Sequence, residues 1–264
     1  STLEAMKTDA SAYCRGLADT PGLSAEEIDA LIAQAEERLS SIKFETDWDA
    51  AFGNADLVVE CINENPQEKT EFYTKLAGHL PERTVILTDS STMLPSMFAE
   101  ATGRPDKYMS LHFGNQIWRN NMTELMRHDG TDPEVFELAA QFAEAIGMVP
   151  LKLNREQPGY ILNSLLIPWF KAATQLVATG VCDAETVDKC WELATGADPG
   201  QTPFRKLDKI GLVLARNILS MDPAAKNPES GLAKSVTMLN GYIDEGKTGI
   251  AAGEGFYKYE SYDK

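Results

Sequence analysis

Between residues 55 and 153, short strand-like runs alternate with segments of helical periodicity; past residue 155 no good strand appears until the tail. No other feature constrains the fold as tightly. Ala55-Asp-Leu-Val-Val-Glu-Cys-Ile62, Thr84-Val-Ile-Leu-Thr88, Tyr108-Met-Ser-Leu-His-Phe113 and Met148 to Leu153 read as strands. Between them, residues 66–79, 95–101 and 133–146 read as helices. The last of these carries Val135, Leu138, Ala139, Phe142 and Ile146 on one stripe. This alternation predicts an α/β architecture with a doubly wound, mainly parallel sheet.

Helices flank that region. Residues 1–17 place Leu3, Met6, Ala10 and Tyr13 on one face. Ser24-Ala-Glu-Glu27 is a capping-box pattern that opens a helix to Leu39, with Ile28, Leu31, Ile32, Ala35 and Leu39 inward. Residues 160–179 are apolar on nearly every face, which predicts a buried helix, kinked at Pro168. Residues 184–194, 205–221 and 229–243 read as further helices. The expected domains are therefore an α/β part, 1–155, and an all-helical part, 156–264.

Charge limits the partners. Forty acidic residues against 24 basic ones give a net charge of −16. A general nucleic-acid binder needs clustered Lys and Arg, so no nucleic acid is expected. An anionic small ligand stays open, because a few local donors can hold it. Cys14, Cys61, Cys182 and Cys190 form no C-x-x-C pair and sit at no zinc spacing with His, so no metal is expected. Two disulfides are possible on paper, but reduced thiols in a cytoplasmic protein are the simpler expectation. No apolar run reaches the roughly 18 residues of a membrane span. The chain begins at Ser1 with no signal-peptide pattern.

The chemistry centres on one constellation. Leu111-His-Phe-Gly-Asn115 closes a predicted strand, and Glu124 follows His112 by twelve residues. A His at the carboxyl end of a strand points into the crevice where open α/β sheets bind ligands. A buried carboxylate can hold its far nitrogen and stabilise the imidazolium formed on proton abstraction. Asp89-Ser-Ser-Thr92 ends another strand and can reach the same crevice. Spacing alone is better served by a plainer reading of the pair, a capped strand-end His112 and a surface Glu124, and it suits Ser91 equally well as the N-cap of the segment near Pro95. No G-x-G-x-x-G occurs, so motif logic alone identifies no dinucleotide site.

In order along the chain run Ala55-Asp-Leu-Val-Val-Glu60, Asn63-Glu-Asn65, Leu111-His-Phe113, Asn115, Glu124, Pro158-Gly-Tyr-Ile-Leu-Asn163, Pro203-Phe204 with Leu207-Asp208, and Gly253-Glu-Gly-Phe-Tyr-Lys-Tyr259. In that order and spacing the chain resembles the 3-hydroxyacyl-CoA dehydrogenases, over essentially its whole length. The resemblance implies a Rossmann-like NAD-binding domain followed by a helical substrate and dimerisation domain. It implies oxidation of an L-3-hydroxyacyl-CoA to the 3-ketoacyl-CoA, or the reverse, within fatty-acid metabolism. His112 then matches the general base and Glu124 its partner. Ser91 and Asn163 match groups beside the substrate. Glu64, Lys69, Asn115 and Asp89 fall on the cofactor side. Asn163, within a turn of Pro158-Gly159, would lie near the positive end of a helix, although capping a buried helix would also account for it. Lys69 also suits a solvated helix lysine, and Glu64 a strand-end charge.

The chain departs from the family in four places. The first βαβ unit, with its glycine loop and ribose-binding acid, has no counterpart, so a fragment with weak NAD affinity is expected. The family's Asn-Thr-Ser is Asp89-Ser90-Ser91 here, its Asn-Pro is Asn115-Gln116, and a basic residue before the last glycines is Ala251. A relative acting on a non-CoA 3-hydroxy acid or a carnitine-like substrate is one alternative. A non-catalytic dimeric remnant is another. Trp169, Phe170, Leu176, Val177, Leu212, Val213, Leu214, Ile218 and Leu219 exceed what about one hundred residues readily bury, which predicts a homodimer through the helical part.

Overall fold

The structure is a computed structural model that describes residues 24–114, 117 and 120–259. The expected helix over residues 1–17, and Asn115 and Gln116, lie outside the described residues. The chain divides into two units. One holds the residues up to Asp56 together with Gly78–Thr84, and the other holds Leu57–Ala77 and everything from Val85 onward.

In the first unit, α1 (Ala25–Ser40) begins at the capping box: Ser24 Oγ accepts the Glu27 N–H at 3.3 Å and Glu27 Oε2 accepts the Ser24 N–H at 2.7 Å. Of its expected inward stripe only Ile28 is buried, and Leu31 is exposed. A short α2 (Trp48–Phe52), capped by Asp47, is the unit's other helix among the described residues.

The second unit carries the sheet: β1 (Leu57–Glu60), β2 (Val85–Thr88), β3 (Tyr108–Phe113), β4 (Met122–Met126) and β5 (Val149–Leu153), in that spatial order. Here α3 (Pro66–Leu76) joins β1 to β2, and α4 (Pro133–Ala145) joins β4 to β5. All pairings are parallel except β3 with β4. Val85, Leu87, Met109, Leu111 and Leu125 alternate onto one face and pack against Phe136, Ala139, Ala140 and Ala143. The stripe of α4 is thus turned from the expected one: Leu138 and Ile146 are exposed. The segment 95–101 forms two 3₁₀ turns, Pro95–Met97 and Glu100–Thr102, rather than one α-helix; neither turn's cap residue makes a side-chain cap hydrogen bond.

β4 escapes the sequence reading. Met122-Thr-Glu-Leu-Met126 has little β propensity of its own and a glutamate at its centre. It is a strand because it pairs with β3 on one side and β5 on the other.

The helical part comprises α5 (Leu162–Ala178), α6 (Ala184–Thr195), α7 (Pro203–Ile210), α8 (Leu212–Ser220) and α9 (Gly231–Asp244). Phe170, Ala173, Phe204, Leu207, Leu212, Ala215, Leu219, Leu232 and Leu239 form its core. α5 runs through Pro168 but is not buried all round, since Leu165 is 68% exposed. The single helix expected over 205–221 is broken at Gly211, whose φ of 89° no helix accommodates.

Two buried aspartates organise this part. Asp188 of α6 accepts the Phe204 and Arg205 N–H groups at 2.9 and 3.3 Å, capping α7 from a neighbouring helix. It also accepts the Thr202 and Tyr257 hydroxyls, at 2.8 and 3.0 Å. Asp208 of α7 accepts the N–H groups of Phe256 and Tyr257 at 2.9 and 3.0 Å and the Tyr259 hydroxyl at 2.8 Å. A Cβ at Gly255 would lie 2.1 Å from Asp208 Oδ1, so this closing turn needs glycine.

Candidate active site

The antiparallel pairing that sequence reasoning missed builds the site. In the β3–β4 register His112 stands directly opposite Glu124. Cross-strand neighbours point to the same face, so the two side chains meet. His112 Nδ1 lies 3.1 Å from Glu124 Oε2. Glu124 is fully buried, not the surface charge of the plainer reading. Its other oxygen accepts the N–H groups of Ile161 and Leu162 at 2.8 and 2.9 Å, at the first turn of α5. Free N–H groups and the helix dipole favour an anion there. A carboxylate only accepts, so Nδ1–H donates to it, which leaves Nε2 as the nitrogen with the free lone pair.

Nε2 lies 3.1 Å from Ser91 Oγ, so Ser91, His112 and Glu124 form one continuous chain. The Tyr160 ring stacks on the imidazole with centroids 4.6 Å apart, and its hydroxyl donates to the Ser90 carbonyl at 2.7 Å. Tyr160 takes a left-handed φ of 53°, a conformation that costs an aromatic residue free energy. Its ring thereby holds His112 and its hydroxyl holds the serine turn. Tyr160 lies within the Pro158–Asn163 segment, but only the fold reveals this role.

Behind Ser91 stands Glu64. Its carboxylate accepts the Ser91 N–H at 2.6 Å and the Ser90 hydroxyl at 2.9 Å. Asp89 Oδ1 accepts the Phe113 N–H at 2.8 Å, tying the end of β2 to the end of β3. Burial raises the Asp89 carboxyl above its ordinary range, opposed by the Phe113 N–H and by His112; Glu60 and Glu64 push it up further. Lys69 is not a solvated lysine. It is 1% exposed, with Nζ 2.7 Å from Glu60 and 3.8 Å from Glu64. Asn163 is half-buried in the first turn of α5, directly after Leu162, and among the described residues its side-chain amide forms no hydrogen bond.

Ser91, His112, Glu124, Glu64 and Asp89 are thus joined by direct hydrogen bonds or adjacent residues where β1, β2 and β3 end. Lys69 meets this group through Glu64. Asn115, in the loop after β3, lies outside the described residues. No group of three or more potential metal ligands occurs among the described residues. No helix there is long and apolar enough to cross a membrane. Cys61, Cys182 and Cys190 are free thiols.

Comparison with known proteins agrees with this architecture. Residues 7–157 match the family description "3-hydroxyacyl-CoA dehydrogenase, NAD binding domain", and residues 159–259 match the "C-terminal domain" of the same family. The human mitochondrial hydroxyacyl-coenzyme A dehydrogenase is 34% identical over 229 residues, covering 85% of this chain and 70% of its own length. A probable 3-hydroxybutyryl-CoA dehydrogenase of Deinococcus radiodurans is 30% identical, over 85% of this chain and 78% of its own. Among solved structures, a diketoreductase studied for dual catalysis of dicarbonyl compounds superposes with a TM-score of 0.84 at 40% identity, covering 97% of this chain and 86% of that one. The 3-hydroxybutyryl-CoA dehydrogenase of Ralstonia eutropha shares the fold, with a TM-score of 0.75 at 23% identity, covering 98% and 86%.

NAD is the cofactor of this family domain. The residues where the parallel strands end suit its nicotinamide end. A basic imidazole nitrogen, a serine hydroxyl and two carboxylates meet there, the donor set for moving a proton beside a hydride acceptor. A G-x-G-x-x-G cradle for its pyrophosphate does not occur in the 264 residues. With family matches spanning both parts of the fold, this chain belongs to the 3-hydroxyacyl-CoA dehydrogenase family of NAD-dependent oxidoreductases.

Proposed function

We propose that the chain interconverts an L-3-hydroxyacyl-CoA and its 3-ketoacyl-CoA, with His112 as general base and acid. The supporting observation is the chain from Ser91 through His112 to Glu124, with both contacts at 3.1 Å. NAD supplies the hydride acceptor when bound. His112 Nε2 takes the proton of the substrate hydroxyl, displacing Ser91 as its partner. Glu124 stabilises the resulting imidazolium, and the α5 N–H groups hold Glu124 in place. Ser91 donates to the oxygen as it becomes a carbonyl, and the free Asn163 amide donates to the acyl carbonyl. Glu64 and Asp89 order the turn on the cofactor side.

The high identity to a diketoreductase favours a second reading, in which the same groups act on a small dicarbonyl or 3-hydroxy acid without CoA. Assays with a short 3-hydroxyacyl-CoA and with the matching free acid, at NAD raised until the rate plateaus, separate the two. Turnover of the thioester at least tenfold above the acid is expected; the reverse order assigns the second reading. Because the chain contains no glycine loop, NADH titration is expected to give binding weaker than the micromolar range typical of enzyme ligands. Tight stoichiometric binding would show that other residues cradle the pyrophosphate.

We also propose a 1–155 cofactor domain, a 156–264 substrate domain, and a homodimer through the latter. Of the nine apolar residues noted above, Phe170, Leu212 and Leu219 are core, whereas Leu176, Val213 and Leu214 are exposed. Leu214 is 50% exposed, so Leu214→Glu should dissociate a dimer without unfolding it. A monomer mass for the parent chain in light scattering would refute the dimer. The free thiols suit a reducing compartment.

A further inference from the structure

Glu60 closes β1 in the interior, side by side with Thr88 in the register of β2. Its carboxylate accepts from Ile62 N–H at 2.6 Å, Lys69 Nζ at 2.7 Å, Thr88 Oγ1 at 2.7 Å and the Tyr73 hydroxyl. The Tyr108 hydroxyl extends the cluster, 3.2 Å from that of Tyr73. Burial would raise the Glu60 carboxyl, but the bonds from Lys69, Tyr73, Thr88 and Ile62 outweigh it and hold the group below its ordinary range.

Two arms lead from this carboxylate to the serine turn. Through Lys69, whose ammonium stands between Glu60 and Glu64, it reaches the carboxylate that accepts the Ser91 N–H. Through Thr88, whose hydroxyl donates to Glu60 and accepts the Ser90 N–H at 3.2 Å, it reaches the turn from the other side. The backbone adds a third tie, since the Glu60 carbonyl accepts the Asp89 N–H at 2.9 Å. A fully satisfied buried network is rigid, and it transmits its geometry to whatever it holds. What it holds here is the contact of Ser91 Oγ with His112 Nε2.

We infer that Glu60 is a positioning residue for the reaction: it fixes Ser91 against His112 through Lys69–Glu64 and through Thr88. This rests on reading His112 as the base only for its effect on turnover. Lys69 thus acts behind Glu64 and sets where Glu64 stands.

The test joins a spectroscopic readout to a double-mutant cycle. The chain has three histidines, so the ¹⁵N signals of His112 are separable from those of His79 and His128. Glu60→Gln should move the His112 signals in the direction that Ser91→Ala moves them, with His79 unchanged. Turnover should fall about tenfold, as loss of positioning does, with the KM for NAD altered far less. In the Ser91→Ala background, Glu60→Gln should add little, because both changes remove the same contact. If Glu60→Gln does not fold, Thr88→Val cuts one arm while preserving shape, and should move His112 the same way by less. His112 signals that stay in place in the folded variant overturn the inference. So does an equal loss of turnover with and without Ser91. Moved signals with turnover unchanged in every variant would instead reject the role of His112 and leave the positioning network standing.

Discussion

Among the described residues, four carboxylates are buried, two in the sheet and two among the helices. Glu124 and Glu60 face groups that carry or exchange a proton, His112 and Lys69, and both connect to the crevice at the strand ends. Asp188 and Asp208 accept their hydrogen bonds from backbone N–H groups and the hydroxyls of Thr202, Tyr257 and Tyr259. Burial costs each of them comparable desolvation, but the return differs. In the helices the anion is a staple that caps α7 and anchors the Phe256–Tyr259 turn. In the sheet it meets the imidazole of His112 or, through Lys69 and Thr88, the turn that carries Ser91. A buried carboxylate therefore says little about function until its partners are known.

Substitutions can break this division. The largest effect belongs to His112→Gln, which should lower turnover by about 10²–10⁴-fold while the melting temperature holds. Near-normal turnover would remove the base from the sheet side of the comparison. Asp208→Ala should do the opposite. It strands two N–H groups and a hydroxyl, costing about 3 kcal/mol of stability, and leaves turnover per folded molecule unchanged. If denaturant unfolding gave the same midpoint as the parent, Asp208 would not be a staple.

Glu124→Gln sharpens the contrast, since glutamine still accepts the α5 N–H groups but cannot offset an imidazolium charge. Turnover should fall about tenfold to a hundredfold, and the lower limb of the pH–rate profile should move. An unshifted profile would place Glu124 with the staples. The smallest effect is at Asp89. Its carboxyl is raised in the fold, so the stability it contributes is present below the ordinary carboxylate value and lost as pH rises through the folded value. Asp89→Asn keeps the acceptor for Phe113 and should raise the melting temperature at neutral pH by about 2 °C. The gain should vanish below a pH of about 4. A gain that persists in acid would mean that charge is not its source.

Much of this was legible in the sequence. The strands at 57–60 and 85–88 announce themselves by β-branched residues, and those at 108–113 and 149–153 by short apolar or aromatic runs between helical segments. The capping box of α1 is local chemistry, and the family motifs marked His112, Glu124 and Ser91 in advance. The stripe of α4 was misjudged because apolar residues outnumber the positions the sheet can cover, so periodicity alone allows more than one face. The unbroken helix over 205–221 was misjudged because a glycine within a helical pattern is often tolerated.

The sequence by itself determined the change from strand–helix alternation to helices near residue 155, which follows from local pattern. His112, Glu124 and Ser91 were singled out by the family resemblance rather than by local pattern. Only the tertiary structure made Met122–Met126 a strand, since its stability comes from two neighbours rather than its own propensity. That pairing set Glu124 opposite His112. Folding likewise turned Lys69 from a helix lysine into a buried cation between Glu60 and Glu64, and wrapped the Phe256–Tyr259 turn around Asp208, 48 residues or more away. Contacts across such separations depend on which surfaces the packed elements bring together, and no local pattern encodes them.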